Sequence, residues 1–289
     1  MEFYHLRSFV VVAETKNLTQ AAKRLCSTPP AISAHIKTLE QELDTTLFIR
    51  TSKGMTLTEK GQLLLVKAQK TLDSAIDMVN LAADNQDDLI GHFQLGLNQN
   101  IQALRCTTLV NNLIENCPGI TLQLNQSSTG KIIKDIQSAQ LDGGYIYGEV
   151  PEDFTAIAIK KVEITTIAPI NFDQKQLNDT NNLASSPWIT MAQYCPFDKE
   201  LKRKLGTNIH AQVNSDHDQS RLELVKSGLG LSFLELSLAQ PEQSAGNIQI
   251  VPQLNFQIPL SFVVLTTRLN NPVVKAIRQE MNILWGISI

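Results

Sequence analysis

The sequence predicts an α+β multidomain chain: a winged helix-turn-helix head, one long linker helix and an α/β body. Three observations predict it. Two short amphipathic helix patterns joined by a turn lie within residues 17–43, and a short hairpin pattern follows them. A heptad pattern runs through residues 58–88. From residue 92, short apolar strand patterns alternate with amphipathic helix patterns, which is typical of an α/β fold.

The composition indicates a globular protein of more than one domain. The chain has 289 residues, of which 43% are hydrophobic and 18% charged. A net charge of −3 argues against a protein that coats nucleic acid indiscriminately. The first 60 residues nevertheless hold eight Lys or Arg against six Asp or Glu. A mildly basic head on an acidic body favours a site-specific nucleic-acid binder.

Cysteine usage and hydropathy indicate the compartment. No apolar run approaches the roughly 20 residues that a membrane span needs, and the first segment lacks a signal-peptide pattern. The cysteines show neither CxxC nor metal-ligand spacing. We therefore expect a cytoplasmic protein with reduced thiols, no membrane association, no metal and no cofactor. Cys26 is expected to fill an apolar core position in the head, and the other cysteines are Cys106, Cys117 and Cys195.

Two amphipathic helices joined by a turn form the centre of the head. Thr19 is the expected N-cap of the first helix. Thr28 is the expected N-cap of the second, with Pro29 at the first helical position, where its fixed φ fits. A further amphipathic helix at residues 6–13 would close a three-helix core. The residues expected to be buried are Leu6, Phe9, Val10, Ala13, Leu18, Ala21, Ala22, Leu25, Ile32, Ile36, Leu39 and Leu43.

The exposed face of the second helix is small and polar, with no carboxylate before Glu40. Such a face suits the DNA major groove because it has low bulk and does not repel phosphates. The hairpin at residues 47–57 adds two cations that can reach phosphate or the minor groove. The alternative is a helical bundle that contains the same helix pair. The candidate DNA-binding residues are Thr28, Pro29, Pro30, Ser33, Ala34, Lys37, Arg50 and Lys53.

These motifs resemble the amino-terminal domain of LysR-type transcriptional regulators. Members of that family usually carry Gln where Pro29 stands and Arg where Ala34 stands, so the contacts of those side chains are not carried over. The resemblance implies double-stranded DNA as a partner, a homodimer assembling into a homotetramer, and RNA polymerase as a further partner. It covers residues 1–65 through Ala21-Ala22, Pro30-Ala31-x-Ser33, Leu39-Glu40, Leu47-Phe48-x-Arg50 and Leu57-Thr58-x-x-Gly61.

Residues 58–88 predict a long helix that begins at Thr58. Leucine and valine recur there every seven residues, with alanines between them, which is the pattern of a coiled-coil seam. We expect a dimerising linker helix; the alternative is a helix that packs on its own head. The polar run at 84–88 marks its end. The predicted dimerisation residues are Leu65, Ala68, Leu72, Ala75 and Val79.

The sequence from residue 92 onward predicts strands and helices in alternation, with mainly parallel strand pairing. Through Asp142-Gly143 and the segment LVKSGLGLSFLE it resembles the effector-binding region of the same family. That resemblance implies two α/β lobes of periplasmic-binding-protein type. The implied domains are a DNA-binding head at 1–57, a linker helix at 58–88, lobe I at 92–164 with 267–289, and lobe II at 165–266. The predicted strands are 93–97, 120–124, 142–146, 164–169, 188–191, 228–233 and 260–266. The predicted helices are 101–117, a helix capped by residues 127–129, 199–205, a helix that follows Ser215-Asp216, and 272–285.

Three loops of the body are candidates for an effector site, because ligands of such folds bind where strands end and helices begin. The loops carry neutral hydrogen-bonding groups, and Lys131 is their one cation, so a small polar effector is favoured over a strongly anionic one. The alternative is that these side chains only cap helices. The candidate effector-binding residues are Asn98, Gln99, Asn100, Ser127, Ser128, Thr129, Thr190 and Cys195.

Other functions are less well supported by the sequence. It contains no GxSxG, HExxH or P-loop motif, so we predict no enzyme. His217 either caps a helix or lines the cleft. One alternative is redox gating through Cys195 or methionine oxidation, although the paired cysteines of peroxide-sensing family members are not available with one cysteine in lobe II. The other is a solute-binding α/β protein with no role on DNA.

Overall fold

The computed structural model describes residues 1–51, 54–82, 89–173, 180–191, 194–207 and 209–287. The chain divides into two compact units, Met1–His92 and Phe93–Ile289. The first unit is helical with one small hairpin, and the second combines helices with a mixed sheet.

The head begins with helices α1 (Phe3–Thr15) and α2 (Leu18–Arg24). Asn17, rather than the predicted Thr19, is the N-cap of α2. Its side-chain oxygen accepts hydrogen bonds from the backbone N–H groups of Thr19 at 2.9 Å and Gln20 at 3.1 Å. An Asn at this position satisfies donors that the first helical turn leaves unpaired.

Helix α3 (Pro29–Glu42) is the second helix of the motif. As predicted, Thr28 caps it, with the hydroxyl accepting the backbone N–H of Ala31 at 3.4 Å, and proline occupies the first turn. The turn before it differs from the prediction at Cys26. This residue is exposed and has a left-handed φ of +49°, so its side chain does not fill the core.

The three helices and the hairpin enclose one hydrophobic core. The rings of Phe9 and Phe48 pack edge to face within it, with centroids 5.5 Å apart. The prediction for Leu43 was wrong: it is 37% exposed, because α3 ends one residue before it. The buried members predicted from helical spacing are Leu6, Phe9, Val10, Ala13, Ala21, Ala22, Ile32, Ile36 and Leu39.

A hairpin of two short strands, β1 (Phe48–Thr51) and β2 (Gly54–Leu57), follows α3. The strands pair antiparallel, with Arg50 opposite Met55. The predicted wing is therefore present in its two strands. Lys53, at its tip, lies outside the described residues.

Helix α4 (Glu59–Leu81) is the predicted linker helix, and Thr58 caps it by accepting a backbone N–H at 2.9 Å. Ala68 is buried in the head core, and Leu65 and Leu72 pack against that core. These three seam residues therefore pack within their own head, as the alternative interpretation expected. The polar run at 84–88 lies outside the described residues.

The carboxyl-terminal end of α4 contacts the segment that follows the helix, whereas its earlier turns pack on the head core. Asn80 is buried, and its side chain donates to the carbonyl of Ile90 at 2.7 Å and accepts from the N–H of Ile90 at 3.0 Å. This two-way contact fixes the end of α4 to the segment that follows it within the first unit. The exposed large apolar residues of α4 are Leu63, Met78, Val79 and Leu81.

The second unit opens with a strand-helix alternation, as predicted. One correction concerns α5, which was expected from residue 101 but begins at Cys106. Residues 101–105 form turns instead, and Arg105 adopts a left-handed φ of +52° that a helix cannot contain. The elements are β3 (Gly91–Leu97), α5 (Cys106–Asn116), β4 (Ile120–Gln126), α6 (Thr129–Gln137) and β5 (Gly143–Tyr147).

Two long strands, β6 (Phe154–Pro169) and β10 (Ile248–Leu265), run antiparallel through the unit. The sequence pattern predicted only the end of each. Their register shifts between Val251 and Phe256, and there the hydroxyl of Thr165 donates to the side-chain oxygen of Asn255 at 2.6 Å.

The main sheet has six strands in the order β4-β3-β5-β10-β6-β9, where β9 spans Ser232–Glu235. Strands β3 and β5 are parallel, but β10 is antiparallel to both β5 and β6, and β6 is antiparallel to β9. The expectation of mainly parallel pairing was therefore wrong. The two long strands account for the difference, since each runs opposite to its neighbours.

The remaining elements complete the second unit. Strands β7 and β8 form a separate parallel pair, and the closing helix spans the predicted residues. The sequence did not predict α7, β8 or α10. The elements are α7 (Thr180–Ser185), β7 (Trp188–Thr190), α8 (Pro196–Leu205), β8 (Ala211–Asn214), α9 (Asp218–Lys226), α10 (Leu236–Ser244) and α11 (Pro272–Trp285).

Candidate functional sites

The outer face of α3 has the character that the sequence indicated. Pro30, Ala34, Lys37 and Gln41 are exposed, and Ser33 is half-buried. The face thus presents small groups, hydrogen-bonding groups and one cation. A helix of this kind can approach base edges in a major groove.

Glu40 of α3 binds the backbone of the hairpin instead of contributing to that polar face. Its carboxylate accepts the backbone N–H groups of Leu47 at 2.7 Å and Phe48 at 3.2 Å. It therefore fixes the start of the hairpin to α3. Sequence reasoning noticed Glu40 only as an acid and missed this positioning role.

The wing contributes Arg50, which is exposed on β1. Across the described residues, neither Lys37 nor Arg50 forms an ion pair with a carboxylate. By contrast, Arg24 of α2 pairs with Glu14 at 2.5 Å. The charges of Lys37 and Arg50 are therefore available to phosphate, and neutralising phosphate is the main source of affinity for DNA.

Two histidines pack where α1 meets α3. The ring centroids of His5 and His35 lie 5.4 Å apart, and Ser8 Oγ lies 2.8 Å from Nδ1 of His35. Desolvation first, and then the charge of His5, lowers the pKa of His35 below its ordinary value of 6.5. Protonating both rings would place two positive charges side by side in the head.

The second unit contains a cavity of 670 Å³. Five of the eight candidate effector residues line it: Asn98, Gln99, Asn100, Ser127 and Ser128. His217 lines it too. The cavity therefore brings together candidate residues that follow the ends of β3 and β4. The other lining residues are Gln126, Lys131, Ser215, Asp216, Asp218, Gln219, Leu222, Leu234, Ser237, Leu238, Pro241 and Glu242.

Gln99 connects two sides of this cavity. Its amide nitrogen donates to the hydroxyl of Tyr147 and to the carboxylate of Glu235, the last residue of β9. All three side chains are buried. Desolvation, with the nearby charges of Asp218 and Glu235 adding to it, raises the pKa of Tyr147 well above its ordinary value. Tyr147 is therefore a neutral hydrogen-bonding group at physiological pH.

Thr129 lies behind the cavity wall, not on it. It is buried at the start of α6, and its hydroxyl oxygen accepts the backbone N–H of Tyr147 at 3.1 Å and the amide of Asn98 at 3.4 Å. Ser128 is the N-cap residue of α6, yet its hydroxyl makes no capping bond. The capping alternative therefore does not account for Ser128, whereas Thr129 has a structural role.

The opposite wall comes from the start of α9 and from α10, which sequence reasoning largely missed. Arg221 is 1% exposed and pairs with Asp218; its guanidinium also donates to the carbonyls of Ser215 at 3.2 Å and Phe233 at 3.4 Å. These contacts hold the loop before α9 against the sheet. The Ser215-Asp216 pair before a helix was the available signal, and it was used only to place that helix.

Two candidate effector residues lie away from this cavity. Thr190 lines a second, smaller cavity of 260 Å³, beside the Asp198–Lys202 ion pair, whose atoms are 2.7 Å apart. Cys195 is the N-cap residue of α8 and is half-buried. Desolvation raises the pKa of its thiol to about 11. At neutral pH this thiol is protonated, and a protonated thiol is a poor nucleophile.

Among the described residues, no group of three or more His, Cys, Asp or Glu side chains is arranged to hold a metal ion. None of the described helices is both long and apolar enough to cross a membrane.

A winged helix-turn-helix head followed by an α/β unit with a polar cavity defines a DNA-binding protein with a ligand-binding unit. Two family models match this chain: the bacterial regulatory helix-turn-helix protein, lysR family, over residues 3–62, and the LysR substrate binding domain over residues 86–283. The chain belongs to the LysR family of transcriptional regulators. The resemblance seen in the sequence is thereby confirmed.

Curated relatives agree with this assignment. The uncharacterized HTH-type transcriptional regulator YusT of Bacillus subtilis (strain 168) is 27% identical over 271 residues, which cover 91% of this chain and 90% of the relative. CzcR of Bacillus anthracis is 26% identical over 251 residues, covering 86% and 85%.

Two solved structures share the fold over nearly their full lengths. A full-length OxyR variant from Pseudomonas aeruginosa superposes with a TM-score of 0.68 at 20% identity, covering 100% of this chain and 96% of that one. Full-length CbnR, in a complex with its target DNA, superposes with a TM-score of 0.61 at 19% identity, covering 97% and 98%.

Proposed function

We propose that this LysR-type regulator binds its operator through the outer face of α3 and the β1–β2 wing, and that a small polar molecule in the 670 Å³ cavity controls that binding. The observation that carries the proposal is the convergence of Asn98, Gln99, Asn100, Ser127 and Ser128 on one cavity. Two separate loop segments, 98–100 and 127–128, supply these neutral hydrogen-bonding groups to the same space.

The DNA-binding part of the proposal rests on α3 and the wing. Lys37 and Arg50 are exposed cations without an ion-pair partner among the described residues. Pro30, Ser33 and Ala34 leave room for base edges. Thr28 and Pro29 serve first to start α3, so we assign them a positioning role.

The effector part rests on the Gln99 contact between two sides of the cavity. A ligand that binds Gln99 alters the environment of Glu235 on β9 through the amide they share. A ligand shifts a conformational equilibrium only by its difference in affinity for the two states. A group that touches both walls is well placed to supply such a difference.

The two-lobe division is retained as part of the proposal, with one boundary changed. Leu260–Val264 of β10 pair with β5, so the end of β10 lies beside strands assigned to lobe I and not to lobe II. We place the return crossing at the register shift between Val251 and Phe256 instead of at residue 267. The first crossing, at Thr165, is unchanged.

Homodimerisation through α4 is also proposed, with a homotetramer and contacts to RNA polymerase implied by the family. Since Leu65, Ala68 and Leu72 pack on their own head, the exposed residues of α4 are the better candidates for the dimer contact. Ala75 is half-buried, and Val79 is 54% exposed, so Val79 keeps its predicted role. The candidates are Leu63, Met78, Val79 and Leu81.

Redox gating through Cys195 is less well supported. Its thiol has a raised pKa and lies outside the 670 Å³ cavity. A redox-sensing cysteine requires the opposite, a lowered pKa and solvent access.

The test of the proposed function is a binding assay on DNA flanking the gene, with and without a fractionated metabolite extract. We expect retarded complexes at low protein concentration, and a change in their affinity with at least one extract fraction. The Lys37→Ala variant should bind all fragments more weakly. If the intact protein binds no fragment more tightly than unrelated DNA, the proposal fails.

A further inference from the structure

The cavity contains a buried hydrogen-bond acceptor without a partner. Gln99 is 2% exposed and lines the cavity, and its side-chain oxygen Oε1 makes no hydrogen bond. The orientation of the amide follows from its neighbour: a carboxylate accepts hydrogen bonds, so the amide nitrogen faces Glu235. Leaving a buried acceptor unsatisfied costs about 1–3 kcal/mol. A ligand that donates to Oε1 would recover that cost.

A second unpartnered acceptor lies on the adjacent residue. Asn98 also lines the cavity, and its amide nitrogen points to Thr129 at 3.4 Å, while its oxygen Oδ1 is buried and makes no hydrogen bond. Two neighbouring side chains thus each offer an unpartnered carbonyl oxygen. This arrangement favours a ligand that carries hydrogen-bond donors, either N–H or O–H.

The charges around the cavity favour a cation. Its lining includes the carboxylates of Asp216, Asp218 and Glu242, but Lys131 is its one lysine, and no arginine lines it among the described residues. Three of these charges have ion-pair partners: Lys131 pairs with Asp135, Asp218 with Arg221, and Glu242 with Lys226. When these partners, Asp216 and the Glu235 carboxylate that Gln99 contacts are all counted, five carboxylates and three cations lie on or beside the lining among the described residues. The field of the lining therefore attracts positive charge more than negative charge.

The remaining wall is apolar. It is made by side chains of β9, α9 and α10. An aliphatic part of a ligand would be buried there. The apolar lining residues are Leu222, Leu234, Leu238 and Pro241.

We propose that the effector is a small aliphatic amine in its ammonium form, whose N–H groups donate to Oε1 of Gln99 and Oδ1 of Asn98. Its carbon chain lies against the leucines of α9, β9 and α10. This inference rests on the proposed function, because it names the chemical class of the molecule that occupies the same cavity. Binding involves no covalent step.

The experiment compares compounds that share one carbon skeleton: 1-aminobutane and 1,4-diaminobutane against 1-butanol and butanoate. The melting temperature of the full-length protein is measured with each at millimolar concentration. The two amines should raise the melting temperature, since ligands that bind the folded state stabilise it. The alcohol and the carboxylate should not. If neither amine stabilises the protein, or if butanoate stabilises it equally, the inference is overturned.

Two variants of Asn98 locate the contact. Asn98→Asp keeps Oδ1 and adds a charge, so it should bind the stabilising amine about tenfold more tightly, because charge-assisted hydrogen bonds are roughly twice as strong as neutral ones. Asn98→Leu removes the acceptor at similar volume and should weaken binding. Gln126→Glu adds the same charge elsewhere on the lining and is the matched control, with a smaller gain expected. Equal gains from Asn98→Asp and Gln126→Glu would overturn the assignment of the contact to Asn98.

The failure of this inference differs from the failure of the proposed function. DNA binding without any ligand is measured on the same preparations. If the protein binds DNA and responds to a compound that is not an amine, only the ligand class is wrong. If it binds no specific DNA, the proposed function fails, whatever the amines do.

Discussion

The imidazole rings of His5 on α1 and His35 on α3 pack with centroids 5.4 Å apart. The helix that carries the candidate DNA contacts is thus held against α1 partly by two imidazole rings. Tyr4 packs on both rings, at 4.5 Å from His5 and 4.9 Å from His35, and Ser8 is hydrogen-bonded to His35. None of these neighbours carries a charge that would stabilise a protonated imidazole.

The head is expected to lose stability in mild acid. Burial and His5 lower the pKa of folded His35 below 6.5, so the unfolded chain binds more protons in that window. The stability that the head gains from keeping His35 neutral is fully present above pH 6.5. It is lost progressively as the pH falls through the lower pKa of His35 in the folded protein. Urea unfolding followed by circular dichroism between pH 8 and pH 5 measures it. His5→Phe keeps an aromatic ring without the charge, and should reduce the acid loss; an unchanged pH profile in this variant would contradict the explanation.

Lys37→Ala and Arg50→Ala are expected to weaken DNA binding on every sequence. Each removes one phosphate-neutralising charge, so the slope of log affinity against log salt should become smaller in magnitude by about one unit per variant. Fluorescence anisotropy across a salt series measures both quantities. Lys160→Ala, an exposed lysine on β6, is the control and should change neither. Normal salt slopes in both head variants would place the DNA contacts elsewhere.

Substitutions in α4 should distinguish the role of its exposed face from that of the face packed on the head core. Met78→Asp is expected to weaken dimerisation while the head stays folded, because Met78 is 71% exposed. Leu72→Asp should instead unfold the head, at a cost of about 3 kcal/mol, since it places a charge against the core. Light scattering and thermal melts distinguish these results. A Met78→Asp protein with wild-type mass at all concentrations would show that this face is not the interface.

Cys195 is expected to be unreactive at neutral pH. A thiol with a pKa of about 11 is almost entirely protonated at pH 7, so alkylation by iodoacetamide should be slow and should accelerate as the pH rises towards 11. Mass spectrometry of alkylated peptides gives the rates, with the exposed Cys26 as the internal comparison. Rapid labelling of Cys195 at pH 7 would revive the redox alternative, and Cys195→Ser would then have to abolish an oxidant response.

The parts of the fold that sequence reasoning predicted are those fixed by local chemistry. Thr28 and Thr58 cap helices because their hydroxyls reach N–H groups three residues away, a relation visible in the sequence. Helical spacing likewise predicted the core face of α3. It could not say which partner a face meets, and so Leu65 and Leu72, assigned to a dimer seam, pack on their own head.

The parts that were missed depend on distant segments. The first halves of β6 and β10 were not predicted, although large apolar residues alternate with others over 254–260 of β10, and their pairing with each other defines them as strands. One part of the candidate site was missed for the same reason, because it comes from segments that are distant in the chain. Asn98 and Gln99 were predicted from one loop, whereas Glu235 and the wall from α10 come from segments that carry no ligand motif. Cys26 was misplaced because a turn with positive φ interrupts the helical spacing.

Strand β10 lies between β5 and β6, yet it begins at Ile248, long after β6 has ended at Pro169. During synthesis, β5 and β6 therefore leave the ribosome before the strand that pairs with both has been made. Exposed strand edges of this kind promote association between nascent chains, and sheets built from distant segments fold slowly. The head, in contrast, takes its whole core from residues 6–72 and can fold as soon as that segment has emerged.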